Sequence, residues 1–209
     1  MPTPRRALIV IDVQNEYVTG DLPIEYPDVQ TSLSNIGQAI DAAHAARIPV
    51  VVVQNFTPAG SPIFARGSEG AELHQVVASR EHDHYVEKAL PSAFTNTDLA
   101  DWLAANKIDT LTVVGYMTHN CDASTIFHAL HIGLAVEFLH DATGSVPYEN
   151  SAGFASAEEI HRVFSVVLHS RFAAVASTQQ WIEAVKSGGE LERGSIYASN
   201  QKARAKAVA

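Results

Sequence analysis

The sequence predicts a three-layer α/β/α sandwich with a central, mainly parallel sheet, and three observations carry that prediction. Short runs rich in Val, Ile and Leu recur along the 209 residues, and they are nearly continuous rather than alternating, as strands buried on both faces are. Stretches with helical spacing separate them. Helix start and stop signals fall where the periodicity changes. Such alternation implies βαβ crossovers, which lay helices on both faces of an open sheet.

The elements follow in order. RALIVI (6–11) is the first strand, closed by Asp12, and helical spacing over 28–46 leads to PVVVVQ (49–54). Residues 56–83, FTPAGSPIFARGSEGAELHQVVASREHD, are rich in Gly, Pro and Ser and too long for a simple connection, so they read as a lid or binding loop. HYVEK (84–88) is a weaker strand. A helix over 95–106 stops at Asn106, TLTVVG (110–115) follows, and a helix over 121–132 stops at Gly133. LAVEFLH (134–140), a helix over 156–169, FAAVAS (172–177) and a helix over 178–187 complete the series. Ser156 with Glu159 and Ser177 with Gln180 have the spacing of capping boxes. These elements make one domain, 1–186. From Ser187 the composition shifts to Gly188 and Gly189, then Arg193, Lys202, Arg204 and Lys206, so 187–209 reads as a C-terminal arm, mobile or packed on a neighbouring subunit.

Composition excludes several classes. A net charge of −9 and a pI near 5.5 argue against nucleic acid, which needs clustered Lys and Arg. The apolar run Ala7–Ile11 is too short for a secretory core. No run approaches the roughly 20 residues that cross a bilayer. A single cysteine, Cys121, allows no internal disulfide and suits a reducing, cytoplasmic setting.

Ligands of open parallel sheets bind at the carboxyl ends of strands. Asp12 and Lys88 close two strands, and Cys121 lies just beyond the loop after a third. Taken singly, Asp12 reads equally well as a turn residue, Lys88 as a surface charge and Cys121 as a small hydrophobe. Together they form a candidate site. If a helix begins near Asn120, its free N–H groups and dipole favour the thiolate at Cys121, and a nearby Lys88 lowers the thiol further. The same N–H groups suit an oxyanion, and Asp12 suits a proton shuttle. His119 sits in the nucleophile turn. Phe56, Phe64 and Tyr116 are pocket candidates, and Phe94 is one with core packing as its alternative. The other histidines show no completed metal spacing, although His82 and His84 flank Asp83, and His128 and His131 are three apart.

The motifs LIVIDVQNEY (8–17), RGSEGAEL (66–73), EKALPSAFTNTDL (87–99), VVGYMTHNCDAST (113–125) and HDATGS (140–145), in this order, resemble the isochorismatase-like cysteine hydrolases, which include nicotinamidases, N-carbamoylsarcosine amidohydrolases and ureidoacrylate-type amidohydrolases. The resemblance covers about residues 6–186. It implies a catalytic triad of Asp12, Lys88 and Cys121. It also implies a cis peptide between Tyr116 and Met117, with an oxyanion hole from the backbone N–H groups of Met117 and Cys121. The reaction implied is hydrolysis of a C–N bond in a small amide, carbamoyl or ureido compound through a thioester, with no cofactor, in a homodimer or homotetramer.

Two departures bear on the substrate. Gln54 and Phe56 stand where the nicotinamidases have an Asp-x-His metal motif, so metal-assisted nicotinamidase activity is not expected. Asp122 follows the nucleophile where the family has a small apolar residue, and an acid there favours the helix dipole but opposes a thiolate. Two other readings stay open: hydrolysis of a non-amide bond by Asp12 and Lys88, and a catalytically silent binding or assembly protein on the same fold.

Overall fold

Residues 3–207 are described by the computed structural model; the outer ends of 1–186 and 187–209, at residues 1–2 and 208–209, lie outside it. The strands are β1 (Arg6–Ile11), β2 (Val50–Asn55), β3 (His84–Lys88), β4 (Thr110–Tyr116), β5 (Ala135–Gly144), β6 (Tyr148–Asn150), β7 (Gly153–Ala155) and β8 (Ala174–Ala176). Six of them form one parallel sheet in the order β3-β2-β1-β4-β5-β8. The chain winds outward from β1 to one edge and from β4 to the other, so the β1–β4 junction is the topological switch point where such sheets open a crevice.

Side-chain parity explains the unbroken apolar runs. Leu8, Val10, Val50 and Val52 face one layer, where α1 (Val29–Ala46) and α6 (Thr178–Ser187) contribute Ile36, Ile40 and Trp181. Ile9, Ile11, Val51 and Val53 face the other, against Leu99 and Leu103 of α3 (Leu99–Ala105) and Ile126 of α4 (Ala123–His131). Both faces are therefore buried, at about 1.5–3 kcal/mol for each large side chain.

Both expected capping boxes form, at Ser156 ahead of α5 (Ala157–Val167) and at Ser177 ahead of α6. The helix expected over 95–106 begins at Leu99, because Thr95 to Asp98 are spent on turns. In the long loop only Glu69–Ala71 and α2 (Gln75–Ala78) are helical. β5 runs on past residue 140 to Gly144, and β6 and β7 form an antiparallel hairpin too short and polar to show in the sequence pattern. The arm contains a further helix, α7 (Ile196–Ala207).

A buried ion pair fixes the sheet's far end. Arg6 lies 2.8 Å from Glu137, which also accepts from the Thr112 hydroxyl at 2.7 Å and the Trp181 indole at 2.9 Å. Burying charge is costly unless it is paired and hydrogen-bonded, and here it is both.

Candidate active site

Asp12, Lys88 and Cys121 belong to separate elements and converge at the switch point. Asp12 stands at φ +51, a left-handed conformation that Asp tolerates better than most residues, and its N–H donates to Val53 O at 2.9 Å. That turn swings the carboxylate across the strand end. Lys88 pairs in register with Asn55 of β2 and extends over that strand. Its Nζ lies 2.6 Å from Asp12 Oδ2 and 3.3 Å from Cys121 Sγ, and it donates to Asn55 Oδ1 at 3.4 Å.

Cys121 lies in a π-helical turn, Thr118–Asp122, that precedes α4, rather than in the first turn of a regular helix. The Tyr116–Met117 peptide before it is cis. Gly115, at φ +119, sits where a Cβ would collide with the Ile11 backbone, so β4 passes β1 closely enough to hold the thiol turn against the Asp12 turn. Thr125 of α4 accepts from Ala93 N at 3.0 Å, which ties the segment after Lys88 to the helix after Cys121.

The electrostatics differ from the sequence expectation in one respect. Burial pushes the Cys121 thiol up, Asp12 pushes it further, and Lys88 opposes them. The expected lowering overlooked that the thiol is only 6% exposed and faces a carboxylate. Burial likewise raises Asp12 against the pull of Lys88. Burial disfavours the Lys88 ammonium, but Asp12 and Cys121 outweigh it and hold it above its ordinary value. One cation therefore faces two acids whose charged forms burial disfavours and the ammonium favours.

The pocket candidates part company. His119 meets Ser145 Oγ at 3.1 Å and Tyr148 Oη at 3.0 Å, and burial pushes it down to about 4, so it is neutral. Phe56 lies under the Arg66 guanidinium at 4.0 Å, in a cleft of about 250 Å³ that Lys88 also lines. Phe64 is buried against Tyr17 with centroids 5.0 Å apart. Tyr116 does not line a pocket: it is fully buried with its hydroxyl 2.7 Å from Ser32 of α1, because its strand position points it into the opposite layer from Cys121. Met117 is the N-cap of the turn Thr118–Asp122, and Cys121 is its fourth residue.

Sequence reading missed Asn55, Gln14 and Tyr148. Gln14 is fully buried and donates to Asn55 O at 2.9 Å and Ala71 O at 2.7 Å, joining the strand ends to the long loop. It lay inside the quoted motif 8–17, whereas Tyr148 gave no signal because it acts from the short hairpin. Of the paired histidines, His84 faces Asp98 at 3.0 Å and His128 faces Ser92 at 3.1 Å. Among the described residues no three His, Cys, Asp or Glu side chains group as a metal site, and no helix is long and apolar enough to cross a membrane.

Residues 6–180 match the isochorismatase domain. A secreted isochorismatase effector of Verticillium dahliae is 31% identical, over 81% of this chain and 90% of its own. A ureidoacrylate amidohydrolase of Acinetobacter baylyi is 29% identical, over 90% of this chain and 86% of its own. A crystal structure from Burkholderia xenovorans LB400, described as a candidate isochorismatase, is 81% identical with a TM-score of 0.98, covering 99% of this chain and 100% of that one.

Proposed function

The chain belongs to the isochorismatase family of hydrolases, with relatives that act on amide-type C–N bonds, and from that premise we propose that it is a cysteine-dependent amidohydrolase of a small amide, carbamoyl or ureido compound. The observation that supports this reading best is the Lys88 ammonium in contact with both Asp12 and Cys121.

In the proposed mechanism the thiol proton passes to Asp12 as Sγ attacks the carbonyl carbon. Lys88 stabilises whichever partner is the anion, so net charge in the dry site does not change. The tetrahedral oxyanion is held by the N–H groups of Met117 and Cys121. Asp12 then gives its proton to the departing amine, leaving a thioester on Cys121. Water attacks the thioester, Asp12 takes the water proton, and that proton returns to Sγ as the acid leaves. The raised thiol suits this order, because the nucleophile is deprotonated only as it attacks.

The test is a panel of primary amides, N-carbamoyl amino acids and ureido acids, assayed for released amine and, by mass spectrometry, for an acyl adduct on Cys121. Adduct and turnover are both expected to vanish in Cys121→Ala. If turnover survives in Cys121→Ala and is lost in Asp12→Ala, the bond cleaved is of the non-amide type and Asp12 with Lys88 leads. If no compound is turned over and none labels Cys121, the silent-binding reading replaces this one.

Assembly as a homodimer or homotetramer, with the arm 187–209 packed on a neighbouring subunit, belongs to the same proposal. The exposed Phe154, Val163, Val166 and Val167 around α5 support it. Sedimentation of the whole chain and of one shortened after residue 189 tests it, and a monomer in both overturns it. A cytoplasmic site of action fits the lone reduced thiol and is checked by cell fractionation.

A further inference from the structure

The proposed mechanism leaves one buried acid unused. Asp122, directly after the nucleophile, is fully buried. Its Oδ2 accepts from the Thr143 hydroxyl of β5, and its Oδ1 has no hydrogen-bond partner. Thr143 lies 2.9 Å from the Thr118 hydroxyl, which is 3.0 Å from Nδ1 of His161 on α5, itself buried. The other groups that act on or feel Asp122 are Asp12 after β1, Lys88 of β3, and the Tyr17 and Tyr116 phenols. Lys88 is the one cation among these groups, and Asp12 occupies it at 2.6 Å.

Counting charges decides the state of Asp122. A dry pocket tolerates an ion only when a counter-ion or several donors face it. One ammonium balances one anion, which is Asp12 in the resting and thioester states and the substrate oxyanion while Asp12 holds the proton. A second carboxylate, met by one hydroxyl and bare at its other oxygen, has no counter-ion left. We propose that Asp122 is a positioning residue that carries a proton while the site is competent, and that loss of this proton silences the thiol of Cys121. Burial moves its titration up to about 7, against the pull of the Thr143 hydroxyl, so the switch falls near neutrality. The step is a bare proton loss to solvent, with no other bond made or broken. It puts a second anion one residue from Sγ, where like charge disfavours the thiolate. Thr143, Thr118 and His161 hold the carboxyl in place while this happens. Only the silencing clause rests on Cys121 being the nucleophile; the protonation does not.

The experiment has two arms on the whole chain. In infrared difference spectra, the C=O stretch of a protonated carboxyl is expected in mild acid in wild type, and in Asp12→Asn it should give way at lower pH, because Lys88 is then left without its anion. It is expected to be absent from Asp122→Asn and to vanish from wild type in mild alkali. In Thr143→Val the band should persist to higher pH, because the hydroxyl that favours the anion is gone. That variant keeps the test alive if Asp122→Asn fails to fold. In the second arm, iodoacetamide alkylation of Cys121 in Asp122→Asn is expected to match wild type in mild acid and to exceed it about tenfold in mild alkali, the factor that one pKa unit of repulsion gives. No carboxyl band in wild type, or superimposable alkylation profiles, overturns the inference. A band without any amide turnover upholds it while removing the amidohydrolase reading.

Discussion

Lys88 and Asp12 form an ion pair, 2.6 Å from Nζ to Oδ2, with both side chains wholly withdrawn from water. Such a pair contributes little net stability, but removing one partner strands the other, at about 3–5 kcal/mol. Lys88→Met should therefore lower the urea midpoint by an amount equivalent to several kcal/mol, while Asp12→Asn with Lys88→Met should recover part of the loss. The single variant should also slow Cys121 alkylation, since the one group that lowers the thiol is gone. Faster alkylation in Lys88→Met would mean that the ammonium does not stabilise the thiolate.

Stability should decline from mild acid towards neutrality. Burial raises Asp122 from 3.8 to about 7, so the folded chain binds a proton that the unfolded chain has released. A carboxyl raised in the folded state contributes stability below its unfolded value and loses it as pH climbs through the folded value. The window is thus about pH 4 to 7, and the loss at the end of it is at most about 4 kcal/mol from a shift of roughly three units. Exposed carboxylates act oppositely and lower down: Arg80 holds Asp41 low and Arg66 holds Glu87 low, and that contribution disappears as pH falls. Thermal melts against pH should show a maximum in mild acid for wild type and a flatter neutral limb for Asp122→Asn.

Gly115 is the position where backbone approach decides the site. A Cβ there meets the Ile11 carbonyl and amide, and the φ of +119 is one that L side chains rarely adopt. Neither neighbour is the end of a flexible side chain that moves aside. Gly115→Ala should push β4 from β1 and yield insoluble protein, or a melting temperature lower by about 10 °C or more if the cost exceeds roughly 3 kcal/mol. Folded Gly115→Ala protein with unchanged alkylation of Cys121 would contradict the close approach.

The sheet was legible because parity and continuity of apolar residues are local properties. Leu8 and Ile9 point to opposite layers, both layers are apolar, and the run that follows from this is visible in six residues. The meeting of Asp12, Lys88 and Cys121 was legible for another reason: each lies at or just beyond the carboxyl end of a strand of one parallel sheet. What escaped depends on pairs distant in the chain. Nothing in the stretch around Asn55 announces that its side chain meets Lys88, and the long separation between Glu137 and Trp181 hides their contact until the layers form. The charge state of Cys121 was misjudged for the same reason, since neighbours along the helix predict a lowered thiol and only the packed site supplies the desolvation that raises it.

Glu16 joins the loop after Asp12 to the long loop 56–83. Its carboxylate accepts from Asp21 N at 2.6 Å and from Phe64 N at 3.2 Å, although the side chain is buried. Gly20 and Gly70 make room for it, since a Cβ at either would collide with a Glu16 oxygen. Two backbone donors from two loops thus depend on one acceptor. Glu16→Ala should strand both, at about 1–3 kcal/mol, and release Phe64 from Tyr17. Hydrogen exchange at the Phe64 and Asp21 amides is expected to quicken at least tenfold, while amides of β1 and β4 stay protected. Substrate binding should weaken more than the proposed chemical step, because the contacts among Asp12, Lys88 and Cys121 do not pass through Glu16. Gly70→Ala should reproduce the loosening from the other side of the contact, and Glu16→Gln, which keeps one acceptor oxygen, should restore part of the protection. Equal exchange in wild type and Glu16→Ala would mean that the long loop is held by contacts such as the Gln14 bond to Ala71 O and not by Glu16.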